Sequence, residues 1–362
     1  MESIVEQYKA QILAASNDKS ALRLRGGGSK DWYGETPHGA ILDTRAYAGI
    51  VDYEPTELVI TARCGTPLVE IEAALAARRQ MLAFEPPHFG PGATIGGVMA
   101  SGLSGPRRAS AGALRDFVLG AELMDGRGQR LVFGGQVMKN VAGYDVSRLL
   151  AGSLGTLGLM LQMSLKVLPL PFAEISLRFA ISEIEALASL NAWAGQPLPI
   201  SASCWHDGEL ILRLSGAQAA VHAARQKLGG DLVADDAAFW LSVREQNHAF
   251  FADGADIWRL SVPSNASALV LKGRQLIEWG GAQRWLKIDA AADPESAARI
   301  RTIATAAGGH ATLFRAGGKG NDGGGIPVFQ PLAPALSRIH QRLTLSFDPA
   351  GIFNPGRMYK EF

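Results

Sequence analysis

The sequence predicts an α+β protein of two domains, and three observations carry that prediction. Its 362 residues exceed one ordinary domain. Glycine-rich loops crowd the first half, between short strands and helices. Past Pro169 and Pro171, which close the preceding strand, the pattern changes to a regular alternation of strands and helices.

The elements follow in order. Residues 1–16 read as an amphipathic helix with Ile4, Val5, Tyr8 and Ile12 on one face. Residues 22–25 alternate apolar and basic and break at Gly26. Residues 40–43 and 58–64 read as short strands. Thr66 caps the next helix, with Pro67 at its first position and Leu68, Ile71 and Leu75 on the buried face. Residues 86–112 are rich in proline and glycine and predict little regular structure. Residues 117–124 and 129–133 flank an Asp-Gly turn, a hairpin signal. Leu159, Leu161, Met163, Leu165 and Val167 alternate as a strand.

The second half opens with a strand at 175–180, a helix at 183–194 and two strands joined at "HDGE" (206–209). A helix at 217–228 and a strand at 231–235 complete the β-α-β-β-α-β order of a ferredoxin-like unit. Helices are expected at 237–252, 265–279 and 294–307, and strands at 256–262, 283–289 and 311–315, with the helices on one face of the sheet. A helix at 335–345 precedes irregular turns that pack back onto the rest.

Composition excludes several function classes. A net charge of +1 gives no electrostatic footprint for nucleic acid. Two cysteines, Cys64 and Cys204, without metal-ligand spacing argue against a disulfide framework, a zinc site or a cluster held by this chain. No basic-then-apolar leader opens the sequence, and no apolar run approaches the roughly 20 residues that span a bilayer.

The glycine loops carry the functional signal. A P-loop motif is absent, and the one GxGxxG match, at 318–323, runs into Gly324-Gly325-Ile326-Pro327 rather than a helix, so it reads as chance. Five loops recur within the first half: residues 26–29, "PGATIGG" (91–97), "SGLSGPRR" (101–108), "KNVAGYD" (139–145) and "GSLGTLG" (152–158). Backbone N–H groups in such turns form anion-binding nests. Several loops in one domain suit a long ligand laid against backbone, and a dinucleotide such as FAD fits better than a compact phosphate.

The motifs "RGGGS", "EIEAAL", "PGATIGGVMASGLSGPRR", "RDFVLG", "DGRG", "MKNVAGYD", "LLAGSLGTLG" and "FDPAGIFNPGRMY" resemble, in this order, FAD-linked oxidases of the vanillyl-alcohol-oxidase type. Within that family they are most similar to the FAD-binding accessory subunits of bacterial glycolate oxidases. The resemblance covers residues ~20–170 densely and ~335–358 at the end. It implies an α+β fold: a two-subdomain PCMH-type FAD-binding domain over 1–171, a ferredoxin-like α+β cap over 172–330, and a segment, 331–362, returning to the FAD domain.

Carried over by position, the resemblance assigns Arg25, Gly26, Gly27, Gly28 and Ser29 to the pyrophosphate loop, with Lys30 beside it. Pro91, Gly92, Thr94, Ile95, Gly96 and Gly97 would line the cofactor. Ser101, Ser104 and Gly105 would lie near the flavin and its ribityl chain, with Gly102, Arg107, Lys139 and Asn140 completing the cofactor-binding set. Gly155, Thr156, Gly158 and Leu159 would hold the adenosine end, and Asn354, Pro355 and Gly356 would return near the ring. Ile95 and Leu159 also read as core, Arg107 and Arg108 as a solvated pair, and Lys139-Asn140 as a cap.

Two departures shape the expected function. Members that tether FAD place a histidine where Ser29 stands, and neither cysteine falls within 86–108, so FAD is expected to bind non-covalently. Hydroxy-acid dehydrogenases of the superfamily carry a histidine-rich Gly-Glu-His-Gly-Ile-Gly motif, whereas "RAGGKGNDGGGIPVF" (315–329) has no histidine. Oxidising a 2-hydroxy acid needs a base near the hydroxyl and a cation for the carboxylate. Arg213, Arg259 and Arg315 offer the cation; no base is evident, and no metal is expected because no HxH or HxxxH pair occurs. His38 and His88 fall in the FAD half. The resemblance therefore implies an electron-relay or structural flavin subunit of a glycolate oxidase. Its partners would be a homologous FAD-containing catalytic subunit and an iron–sulfur subunit. It would be cytoplasmic, or peripheral at the inner membrane through the complex. The alternative is a stand-alone FAD-dependent dehydrogenase of a small 2-hydroxy acid, with hydride transfer to flavin N5.

Overall fold

The computed structural model describes residues 1–135, 145–252, 254–289, 295–317 and 325–361. The chain divides into two compact units. The first comprises Met1–Leu103, Ala113–Pro169 and Pro331–Phe362; the second comprises Ser104–Gly112 and Leu170–Gln330. Residues 104–112 thus group with the second unit, which differs from the expected boundary at 171. Among the described residues no helix is long and apolar enough to cross a membrane.

In the first unit the helix Glu2–Asp18 buries Val5, Tyr8, Ile12 and Ala15. They pack with Leu22, Leu42, Tyr47, Met124, Leu159, Leu161, Ile352 and Phe353, while Ile4 stays at the rim. The strand Leu22–Arg25 pairs in parallel with Ala40–Asp43. A five-stranded antiparallel sheet runs in the order Ile50–Glu54, Val59–Arg63, Leu159–Lys166, Val118–Met124, Arg130–Gly134. The first of these strands has no counterpart in the sequence reading, because its exposed Val51 and Asp52 hide the period of two.

Two local expectations are corrected. The helix Leu68–Ala76 buries Leu68, Ile71 and Leu75, but its N-cap is Pro67, not Thr66. The Thr66 hydroxyl instead accepts the Gly49 N–H at 2.8 Å and donates to the Arg63 carbonyl at 2.6 Å. The stretch 86–112, expected to be irregular, contains the helices Ile95–Ser101 and Arg108–Ala111. Thr94 caps the first by accepting the Gly97 N–H, which offsets part of the helix penalty of two glycines.

The second unit is one eight-stranded antiparallel sheet. Its order is Asp231–Leu232, Ala173–Ala180, Glu209–Gly216, Ile200–His206, Arg274–Glu278, Gln283–Ile288, Asp256–Ser261, His310–Arg315. The first four strands form a ferredoxin-like repeat with helices Glu183–Ala194 and Gln218–Leu228. The last four repeat that order in mirror sequence across a central seam. Helix Ser296–Ala306 packs Ile300 and Ala304 on Trp258, Leu260, Leu286 and Leu313.

Where the second repeat would carry its first helix, the expected helix at 265–279 is absent. The chain there is irregular and then enters the strand Arg274–Glu278. Gly273, at φ +133°, is incompatible with helix continuation. Arg284, fully buried, donates to the carbonyls of Ala266 at 2.6 Å, Ser267 at 2.7 Å and Gly281 at 3.1 Å, and so fixes this irregular stretch. The helix expected at 237–252 spans only Asp236–Arg244, followed by a 3-10 turn, Ala249–Phe251. Nor do the helices keep to one face. Leu177 and Leu212 face the two repeat helices, whereas their strand neighbours Ser176 and Arg213 meet Trp240 on the other side.

Candidate functional site

Residues two apart share one side of a strand, so Leu22–Arg25 presents Arg23 and Arg25 together. The chain then turns through three glycines. A Cβ on Gly26 would strike the Thr94 hydroxyl, and one on Gly27 would strike the carbonyl of Gly92. Gly28 adopts φ +74°, a conformation that favours glycine. The loop at 91–97 is therefore pressed onto this turn, backbone to backbone.

Among the described residues, no acceptor takes the N–H of Gly26, Gly27, Gly28 or Ser29. Four successive donors line a cavity of about 90 Å³, with Thr94, Gly97 and Ser101 beside them. Four cations border the same cavity, Arg23, Arg25, Lys30 and Arg357, against one carboxylate, Asp31. Asp31 pairs with Arg23 at 2.6 Å and Arg25 at 2.7 Å. The excess positive charge and the unclaimed donors together make an anion cradle. A second cavity of about 70 Å³, bordered by Gly155, Gly158 and Leu159, shares Arg25, Gly26, Gly97 and Asn354 with the first.

The C-terminal segment clasps this cradle. Asn354 donates from Nδ2 to the Leu154 carbonyl at 2.7 Å and accepts the Leu24 N–H on Oδ1 at 2.9 Å. It thereby ties the strand to the 152–158 loop. The Arg357 guanidinium donates to the carbonyls of Asp31, at 2.7 Å, and Glu35. Burial, eased by the Asp31 charge, pushes Arg357 down to about 10, so it remains charged at neutral pH. Lys30 Nζ donates to the His88 carbonyl at 3.1 Å and lies 5.6 Å from the centre of the Phe89 ring.

The structure gathers Arg25, Gly26, Gly27, Gly28, Ser29, Lys30, Thr94, Gly97, Ser101 and Asn354 around the first cavity. Gly96, Gly155, Gly158 and Leu159 border the second. Several expected residues also do structural work. Gly96 gives its N–H to the Cys64 carbonyl at 2.8 Å. Ile95 is wholly core. Gly92 backs Gly27, with Pro91 exposed next to it. Gly102 ends a helix at φ +62°, and the Thr156 hydroxyl donates to the Ser153 carbonyl at 2.8 Å.

Ser104, Gly105 and Arg107 belong to the second unit and border neither cavity. There Arg107 donates to Glu174 at 2.6 Å and to Ser215 at 3.0 Å, so it is neither part of these cavities nor solvated. Lys139 and Asn140 lie outside the described residues. Sequence reasoning missed Arg23, Asp31 and Arg357. The alternation of "LRLR" held the signal for the first; the other two depend on contacts remote in sequence.

A dinucleotide with a pyrophosphate bridge fits these residues. The four donors would supply its phosphate oxygens with hydrogen bonds, and the cations would neutralise it. Residues 5–134 match the family described as FAD binding domain. Over 351 residues the chain is 52% identical to glycolate oxidase subunit GlcE of Escherichia coli (strain K12), covering 97% of this chain and 96% of that one. It is 30% identical over 180 residues to glycolate oxidase subunit GlcD of Bacillus subtilis (strain 168), which is 49% of this chain and 38% of that one. Of solved structures, 4-ethylphenol oxidase from Gulosibacter chungangensis matches with a TM-score of 0.69 at 14% identity, over 98% of this chain and 87% of its own, a likeness of fold alone.

Proposed function

The chain belongs to the family of glycolate oxidase subunit GlcE, and we propose that it is the FAD-binding subunit of a multi-subunit glycolate oxidase, relaying electrons or holding flavin rather than oxidising the substrate itself. The observation that carries this reading is the row of four unclaimed N–H donors beside Arg23, Arg25, Lys30 and Arg357. When bound, FAD supplies a reversible store for two electrons. The chain's own residues bind and orient it. Gly26 to Ser29 receive the pyrophosphate, Arg25 adds charge, and Asn354 and Arg357 hold the receiving loop in shape. Ser29 offers no covalent tether, so attachment is reversible.

The likeness of half the chain to GlcD supports a homologous flavin subunit as partner. In this reading an iron–sulfur subunit takes the electrons onward, and any contact with the inner membrane is made through the complex. The alternative, a stand-alone 2-hydroxy-acid dehydrogenase, needs a cation for the substrate carboxylate and a base. Arg213, one candidate cation, is engaged with Ser201, Glu174 and the Trp240 ring.

The two readings part in an anaerobic cuvette. The purified chain, loaded with FAD, receives glycolate or D-lactate. The relay reading expects no bleaching of flavin absorbance by the chain alone and bleaching once partner subunits are added. Rapid bleaching by the chain alone overturns it.

A further inference from the structure

The helix Pro334–Phe347 is 14 residues long, yet none of its side chains is buried. It rests on the first unit by one face only. Ser337, His340, Leu343, Thr344 and Phe347 are half-buried and recur every three or four residues, so they lie together. The His340 ring meets Tyr359 edge-on at 5.9 Å, and the Phe347 ring meets Phe133 at 6.1 Å. Arg127 Nη1 donates to the Ser346 carbonyl at 3.0 Å. These contacts fix the helix in place and leave its opposite face to solvent.

That outward face is cationic and apolar at once. Arg338 and Arg342, four residues apart and both exposed, form one ridge along it. Leu336 and Ile339 flank the ridge on one side and Leu345 on the other, and they are 50%, 59% and 58% exposed. Among the described residues neither guanidinium has a hydrogen-bond or ion-pair partner. The helix contains no Lys, Asp or Glu, the charged residues that protein interfaces exclude, and it carries the arginine that they favour.

We propose that this face docks an acidic amphipathic helix of another subunit of the same complex, an inference that rests on reading the chain as a subunit of a glycolate oxidase. Carboxylates one turn apart on that helix pair with Arg338 and Arg342, and its aliphatic side chains cover Ile339 and Leu345. Two other occupants suit the face less well. A second copy of this helix would set arginine against arginine, with no acid on either copy to pair them. A lipid surface is best met by Trp or Phe on the apolar side of a helix. Phe347, the one phenylalanine here, is turned inward onto Phe133.

The test co-expresses the full chain with the homologous flavin subunit and the iron–sulfur subunit, and measures how much of it a tag on the flavin subunit retains. The double variant Arg338→Glu, Arg342→Glu should lower the retained amount about tenfold, with its flavin content and melting temperature unchanged. Photoreactive p-benzoylphenylalanine introduced at Leu345, with both arginines kept, should crosslink to a segment bearing acids three or four residues apart. A wild-type chain that is never retained overturns the subunit reading and this proposal together. Wild-type retention equalled by the double variant overturns this proposal alone, as does a crosslink to a segment without such acids. Flotation of the isolated chain with phosphatidylglycerol vesicles, lost in the double variant, gives the face to lipid and overturns it too.

Discussion

The guanidinium of Arg357 donates to the main-chain carbonyl of Asp31 at 2.7 Å, joining residues 326 apart in sequence. Asp31 in turn gives its N–H to the Gly28 carbonyl at 3.1 Å. The last turns of the chain thus set the shape of the first glycine turn. Arg357→Gln is expected to lower FAD affinity at least tenfold while leaving the secondary structure intact. Fluorescence titration of the apoprotein measures this. Affinity within twofold of wild type contradicts the clasp.

Gly27→Val tests the turn itself. A side chain there meets the Gly92 carbonyl, so the variant must part the two loops before any ligand arrives. We expect flavin content after desalting to fall below a tenth of wild type, together with a lower melting temperature. A yellow, stoichiometrically loaded variant would place the cofactor elsewhere.

Glu174 gives a pH signature in the second unit. Burial pushes its carboxyl up, but the charges of Arg213 and Arg107 outweigh burial, and the net effect is a lowered value. A depressed folded-state value stabilises above the unfolded one, 4.5, and the benefit fades as pH falls through the folded value. Glu174→Gln should therefore destabilise the protein at pH 7 by on the order of 2 kcal/mol. That is less than for a fully buried pair, because the carboxylate is 33% exposed. The gap to wild type should narrow as the pH drops below 4.5, which melting curves at several pH values follow.

Both cysteines are buried, and burial pushes both thiols up. The native protein should not react with Ellman's reagent over minutes, and two thiols per chain should appear in denaturant. Fast reaction of either in the native state contradicts the packing around Gly96 or around the central strand of the second unit.

The glycine loops were legible in the sequence because a missing side chain is visible there. What each glycine makes room for was not, since the neighbours of Gly27 and Gly155 come from residues 92 and 354. The ferredoxin-like order of the first repeat could be read because Leu177, Leu210 and Leu212 keep a clean period of two. Its second copy was obscured by residues 265–279, whose apolar content suggested a helix. Gly273 was the available warning, because its left-handed backbone packs onto the Lys287 carbonyl. The partner of Arg107 was hidden as well: "SGPRR" adjoins the cofactor loops in sequence, and Arg107 pairs with Glu174 in the other unit.

The most direct test of the central claim is a titration of unfolded-and-refolded, flavin-free protein with FAD, ADP and riboflavin. Four backbone donors and their cations should favour ligands that carry a pyrophosphate. FAD should bind one to one, ADP should compete with it, and acid should release the flavin intact. A chain that refuses FAD, or that binds riboflavin as tightly as FAD, would contradict the claim.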